Sequence, residues 1–157
     1  MEIATFAAGC FWGVQAAYQQ IPGVVETHAG YTGGVMPEPG YQEVCTGNTG
    51  HAEAVQIEYN PDQVSYRFLL DLFFSLHDPT EYNRQGPDIG TQYRSAIFYH
   101  TEEQKQTALM VIEELELSGK FRERIVTELV PATRFWAAEE SHQSYYLKIG
   151  RRYGGIM

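Results

Sequence analysis

The pentapeptide Gly9-Cys10-Phe11-Trp12-Gly13 sets one thiol among glycines and two large rings. Ile3 to Ala8 reads as a short strand, and Val14, Ala17, Tyr18 and Ile21 then recur at helical spacing. Cys10 therefore falls at the start of a helix that ends before Pro22-Gly23. The unpaired N–H groups at such a start carry partial positive charge and favour a thiolate. This makes Cys10 a candidate nucleophile. The competing reading is a buried structural cysteine, the commoner fate of a free thiol. Phe11 and Trp12 point in different directions on a helix. They can wall a small apolar pocket suited to a methyl or thioether group, or serve as ordinary core.

Glu53 is the most informative acid. In Ala52-Glu53-Ala54-Val55-Gln56-Ile57-Glu58-Tyr59, alternation places it on the face of Val55, Ile57 and Tyr59. Burial there disfavours the anion and raises the pKa, which suits a general acid. The plainer alternative is a strand-end residue escaping into solvent. Asp88 lies in the polar loop Gly86-Pro87-Asp88-Ile89-Gly90 and also reads as a turn former. Tyr41 and Tyr93 sit in or beside loops and count for little singly. His51 and His142 are candidate bases, although a satisfied structural histidine is more usual. The five histidines show neither a C-x-x-C nor an H-x-x-x-H pattern, so no metal site is expected. No glycine-rich phosphate-binding run appears either, and no cofactor is expected.

The elements that must position these residues follow from periodicity. Strands are expected at Ile3–Ala8, Val24–Tyr31, Ala52–Tyr59 and Arg94–His100, with helices near Cys10–Ile21 and at Ser65–His77. The segment Gly30–Gly40 reads as a long ordered loop. Thr101-x-x-Gln104 reads as a capping box before a helix reaching about Leu117, with Gly119 as its C-cap. A strand over Ile125–Val130 and a last helix over Ala138–Leu147 follow. The order β-α-β-β-α-β is the ferredoxin-like split βαβ arrangement. The expected fold is α+β, a two-layer α/β sandwich on that core with a C-terminal helix-strand-helix extension. At 157 residues a single domain spanning 1–157 is expected.

Composition narrows the function. Eleven basic against twenty acidic residues leave a formal charge of −9, which repels phosphate backbones and anionic membrane surfaces. No nucleic-acid or membrane partner is expected. The greasiest stretch, Phe68–Leu76, is far short of a membrane span and contains Asp71. Met-Glu-Ile-Ala-Thr lacks the basic start of an export signal. Two cysteines make no disulfide framework, so the expected setting is the cytoplasm with free thiols. Nothing suggests an oligomer, and a monomer is expected.

The motif string resembles the A-type peptide methionine sulfoxide reductases. Gly9-Cys10-Phe11-Trp12-Gly13 is followed by Gly30-Tyr31-Thr32-Gly33-Gly34, Tyr41-Gln42-Glu43-Val44-Cys45 and Gly50-His51-Ala52-Glu53-Ala54-Val55. His77-Asp78-Pro79, Gly90-Thr91-Gln92-Tyr93-Arg94-Ser95 and His142-Gln143 complete it, in order across almost the whole chain. The resemblance implies that Cys10 attacks the sulfur of a methionine S-sulfoxide, protein-bound or free. It implies that Glu53 protonates the oxygen with Tyr41 and Tyr93 assisting. Phe11 and Trp12 would hold the ε-methyl, Asp88 would orient the substrate, and His51 and His142 would stand behind them. The family fold is an α/β sandwich on a ferredoxin-like core.

One departure concerns recycling. Many family members carry resolving cysteines in a glycine-rich tail, but Gly150 to Met157 contains none. Cys45 is expected to be a buried core residue, leaving a one-cysteine cycle served by a thioredoxin- or glutaredoxin-type partner. Two other classes use fewer of the residues. A cysteine hydrolase or acyl transferase would pair Cys10 with His51 or His142. A binding module would use the aromatic patch alone.

Overall fold

A computed structural model of the chain describes residues 1–152, with side chains through Ile149. The remainder of the glycine-rich tail, 153–157, lies outside the described residues. In chain order the elements begin with β1 (Glu2–Ala8), α1 (Phe11–Gln19), β2 (Val24–Thr32), α2 (Tyr41–Cys45) and β3 (Ala52–Tyr59). There follow α3 (Tyr66–Ser75), the hairpin β4 (Arg84–Gln85) and β5 (Asp88–Ile89), β6 (Ser95–Tyr99) and α4 (Glu102–Ser118). The chain then forms β7 (Glu128–Pro131), β8 (Trp136–Ala137) and α5 (Tyr145–Arg152).

Six strands form one mixed sheet in the order β7-β6-β1-β3-β2-β8. The central four, β6-β1-β3-β2, are antiparallel neighbours. Helix α1 carries the chain from β1 to β2 on the far side of β3, and α3 lies on the path from β3 to β6 on the far side of β1. That is the expected split βαβ core, and the fold is α+β. β7 extends it as a parallel neighbour of β6, and β8 pairs antiparallel with β2.

Alternation explains the two faces. Phe6, Ala8, Val55, Ile57 and Tyr59 join the core beneath the helices, with Tyr18, Leu69, Leu70 and Phe73. The opposite face carries Ala7, Ala52, Ala54 and Ala96 around Phe98, covered by Val130, Ala132 and Phe135. Helix α3 is capped by Ser65, whose hydroxyl accepts from the Phe68 N–H at 3.0 Å. A cap contributes about 1 kcal/mol. Each large apolar side chain buried on α3 contributes about 1.5–3 kcal/mol, so packing dominates.

The expected capping box of α4 forms in part. Thr101 Oγ1 accepts from the Gln104 N–H, but Gln104 Oε1 accepts from His100 N–H, one residue further back. Its amide also donates to the Ile3 carbonyl, tying α4 to β1. Gly119 ends the helix in the left-handed conformation, as expected. β7 begins later than the expected Ile125 because the Val126 N–H is already donated to the Pro79 carbonyl. The last helix is also displaced. Instead of Ala138–Leu147, a short 3₁₀ turn at Glu140–His142 is followed by extended Gln143 and by Ser144 at φ 52°. The Gln143 side chain bonds both the N–H and the carbonyl of Ala29, pinning the chain beside β2 and delaying the helix.

His77 closes the end of α3. Its Nδ1 lies 2.8 Å from the Phe73 carbonyl, and its Nε2 lies 2.7 Å from Ser95 Oγ. Burial pushes its pKa down to about 4 from the ordinary 6.5. The neutral ring is favoured in the fold, so its stabilising contribution is full above pH 6.5 and lost as pH falls through 4. Urea unfolding between pH 7 and 4 should therefore show a loss of about 2–3 kcal/mol that His77→Gln lacks. Identical pH slopes for the two proteins would refute this.

Candidate active site

Cys10 stands at the N-cap of α1 as expected; its sulfur makes no capping hydrogen bond, and the backbone N–H groups of Trp12 and Gly13 only draw its pKa down. They do not win. Burial, with the nearby charges of Glu53 and Asp88, pushes the thiol pKa up to about 11. The helix start therefore does not leave a thiolate at neutral pH, contrary to the sequence expectation. Gly9 has φ 89°, and a Cβ there would lie 3.0 Å from Gln85. This close approach seats the β4–β5 hairpin, and with it Asp88, beside the thiol.

Glu53 lies on the buried face of β3, directly opposite Tyr31 of β2, and is 1% exposed. Oε1 accepts from the Phe11 N–H at 3.2 Å. Oε2 is buried without a hydrogen-bond partner among the described residues. Burial is the main cause of a pKa raised to about 7, and the charge of Asp88 adds to it. The Phe11 N–H pulls the other way. This carboxyl holds a proton at a pH where an ordinary glutamate has lost it.

Tyr41 opens α2, an element the sequence reading left unassigned. Its ring centroid lies 6.4 Å from Phe11 and 4.2 Å from His142. Burial first, then the nearby Cys45 sulfur and the charge of Glu53, hold the phenol well above its ordinary value. Tyr93 ends the short turn before β6. Burial and the charges of Glu53, Cys45, Asp88 and Cys10 push it to about 12. Both phenols keep their protons and can donate them in hydrogen bonds. Cys45 is exposed, not a core residue. The core side chain of α2 is instead Val44, because a helix turns Val44 inward and Cys45 toward Tyr41.

Phe11 is buried, with its ring 5.7 Å from Tyr31, whereas Trp12 is half-buried. Trp12 stacks on Tyr145 at 3.9 Å and its Nε1 donates to His142 Nδ1 at 3.1 Å. His142 thus braces both Trp12 and Tyr41. His51 stands further back. Its Nδ1 accepts from the Gly34 N–H and its Nε2 donates to the Met36 carbonyl, holding the loop that leads into α2. Neither imidazole hydrogen-bonds Cys10 among the described residues, so the hydrolase pairing has no geometry behind it.

Cys10, Phe11, Trp12, Tyr41, Glu53, Asp88 and Tyr93 thus converge. Sequence reasoning missed Tyr31, Glu139 and Tyr145. The Tyr31 hydroxyl donates to Glu139 Oε1, and the Tyr41 N–H donates to Glu139 Oε2, each at 3.0 Å. Nothing local marks Glu139 apart from the acids around it. Among the described residues no group of three or more His, Cys, Asp or Glu is placed to hold a metal. No helix there is long and apolar enough to cross a membrane.

Comparison with known proteins identifies the family. A family profile described as peptide methionine sulfoxide reductase matches residues 2–156. A peptide methionine sulfoxide reductase MsrA of Methanoculleus marisnigri is 61% identical over 150 residues, covering 96% of this chain and 92% of that protein. The structure of Mxr1 from Saccharomyces cerevisiae in reduced form superposes with a TM-score of 0.88 at 38% identity, over 94% of this chain and 84% of that one. A second structure of Mxr1, in complex with Trx2, gives a TM-score of 0.65 at 29% identity, over 92% and 84%. A profile that matches almost the whole chain and a relative 61% identical along nearly its full length place it: the chain belongs to the A-type peptide methionine sulfoxide reductases.

Proposed function

We propose that the site reduces the S epimer of methionine sulfoxide by direct attack of Cys10 on sulfur. The observation that carries this reading is Glu53, buried near enough to act on the thiol, with one carboxyl oxygen unpartnered among the described residues and a pKa raised to about 7. A sulfoxide sulfur becomes electrophilic only when its oxygen is protonated or strongly hydrogen-bonded. Glu53 supplies the proton, and Tyr41 and Tyr93 donate to the oxygen. Phe11 and Trp12 hold the methyl group, and Asp88 orients the substrate.

The same proton eases the high thiol pKa in part. The Glu53 anion is one of the charges that raise it. When Glu53 is neutral and bonded to the sulfoxide oxygen, that repulsion is gone and the thiol pKa falls, with burial still holding it up. Attack gives methionine and a Cys10 sulfenic acid: the sulfoxide is reduced, the cysteine is oxidised, and the oxygen moves from one sulfur to the other. Two external thiols then restore Cys10, releasing water and a disulfide. The likeness to Mxr1 bound to Trx2 supports a thioredoxin-type reductant, acting directly on the sulfenic acid.

The test is a single turnover. Reduced protein is mixed with excess methionine S-sulfoxide without reductant. About one methionine per chain should form, the intact mass should rise by one oxygen, and the R epimer and Cys10→Ser should give nothing. No methionine from reactive Cys10 overturns the reductase reading. Loss of two hydrogens instead of gain of an oxygen overturns direct recycling, because it reports a disulfide.

A further inference from the structure

Tyr41 stands on a helix of only five residues. So short a helix does not hold itself, since its nucleus is costly and its first N–H groups lack partners within it. One of these groups, at Gly40 just ahead of the helix, is met from inside by Glu43 Oε1 at 3.0 Å. The Tyr41 N–H is met from outside, by Glu139 Oε2 at 3.0 Å, from 98 residues further along the chain. The other oxygen of the same carboxylate accepts the Tyr31 hydroxyl at 3.0 Å. Tyr31 is the register partner of Glu53 and packs on Phe11.

Glu139 is itself fixed on both sides. The preceding Ala138 N–H donates to the Ala29 carbonyl at 2.8 Å, and Gln143 bonds the same residue. Burial works against its charge, but the donors around it, including the Tyr41 N–H and the Tyr31 hydroxyl, hold it below the ordinary carboxylate range. It is an anion with two strong, directional bonds to two elements of the site.

We infer that Glu139 is a positioning residue. It locks the start of α2 to the strand opposite Glu53, so that the Tyr41 phenol stands where the sulfoxide oxygen arrives, and it acts on the reaction only through that phenol. This rests on the proposed role of Tyr41 as a donor to that oxygen.

The experiment is a double-mutant cycle on the single-turnover rate at saturating methionine S-sulfoxide, using Glu139→Gln, Tyr41→Phe and the pair. Glutamine keeps the shape but cannot accept both donors. Glu139→Gln should slow the step about 10- to 100-fold, the effect of a bond to a charged group. The pair should be no slower than Tyr41→Phe alone, within about twofold, because the phenol that Glu139 positions is already gone. Iodoacetamide alkylation of Cys10 should be unchanged in Glu139→Gln, and Glu139→Asp should recover part of the rate. Losses that multiply in the pair overturn the inference, as does a lowered thermal midpoint with an unchanged rate. A full rate in Tyr41→Phe alone overturns the donor role of Tyr41 itself, which separates the two failures.

Discussion

Replacing Glu53 by Gln should all but stop sulfoxide reduction while making Cys10 easier to alkylate. The amide keeps the shape and can still accept the Phe11 N–H through its oxygen, so the local structure survives. It cannot donate a proton to the sulfoxide oxygen. Loss of a positioned general acid costs about 10²- to 10⁴-fold. Burial remains the main reason for the high thiol pKa, but the carboxylate charge that adds to it disappears. The pH profile of iodoacetamide alkylation should therefore move to lower pH. An ordinary loss of a nucleophile-activating base would move it the other way, which makes the pair of readouts decisive. An unmoved alkylation profile, or undiminished single turnover, would sink the assignment.

The same variant should be more stable at alkaline pH. The folded-state pKa of Glu53 is raised to about 7 from an ordinary 4.5. Its stabilising contribution is full below 4.5 and is lost as pH rises through 7, because the buried site must then hold an anion. Glu53→Gln avoids that loss. It should exceed the parent by about 3 kcal/mol at pH 8 and match it near pH 4.

Gly30→Ala should damage the fold and the site together, although Gly30 touches no reacting atom. Gly30 sits within β2 between two partners, Ala54 of β3 and Ala137 of β8. A Cβ there would collide with the Trp136 carbonyl and lie 2.5 Å from the Phe135 ring. Backbone cannot swing aside like a side chain, and β8 pairs through only two residues. The least costly response is for β8 to peel away, taking the chain toward Glu139 and His142 with it. Urea unfolding should show a loss of about 3 kcal/mol, at the upper end of overpacking. The single-turnover rate should fall more than about 10-fold, since the braces of Tyr41 and Trp12 are charge-assisted or buried bonds. A variant as stable and as fast as the parent would show that the β2–β8 pairing does not hold the site.

Much of this molecule is written in local spacing. The thiol between a strand and a helix, the period-two pattern that turns Glu53 inward, and the β-α-β-β-α-β order all depend on residues a few positions apart. Side-chain direction repeats within one element, so one element suffices to read it. Three things depend on distant partners. The start of helix α2 is met by Glu139, 98 residues away, as well as by its own Glu43. The last helix begins at Tyr145 and not Ala138 because Gln143 is bonded to Ala29. Cys10 is a protonated thiol because burial and the charges of Glu53 and Asp88, brought from β3 and the β4–β5 hairpin, outweigh two local N–H groups. The sequence alone determined which residue types stand on which faces. Only the tertiary structure decided their protonation and their braces, because desolvation and charge are summed over neighbours that chain order does not place side by side.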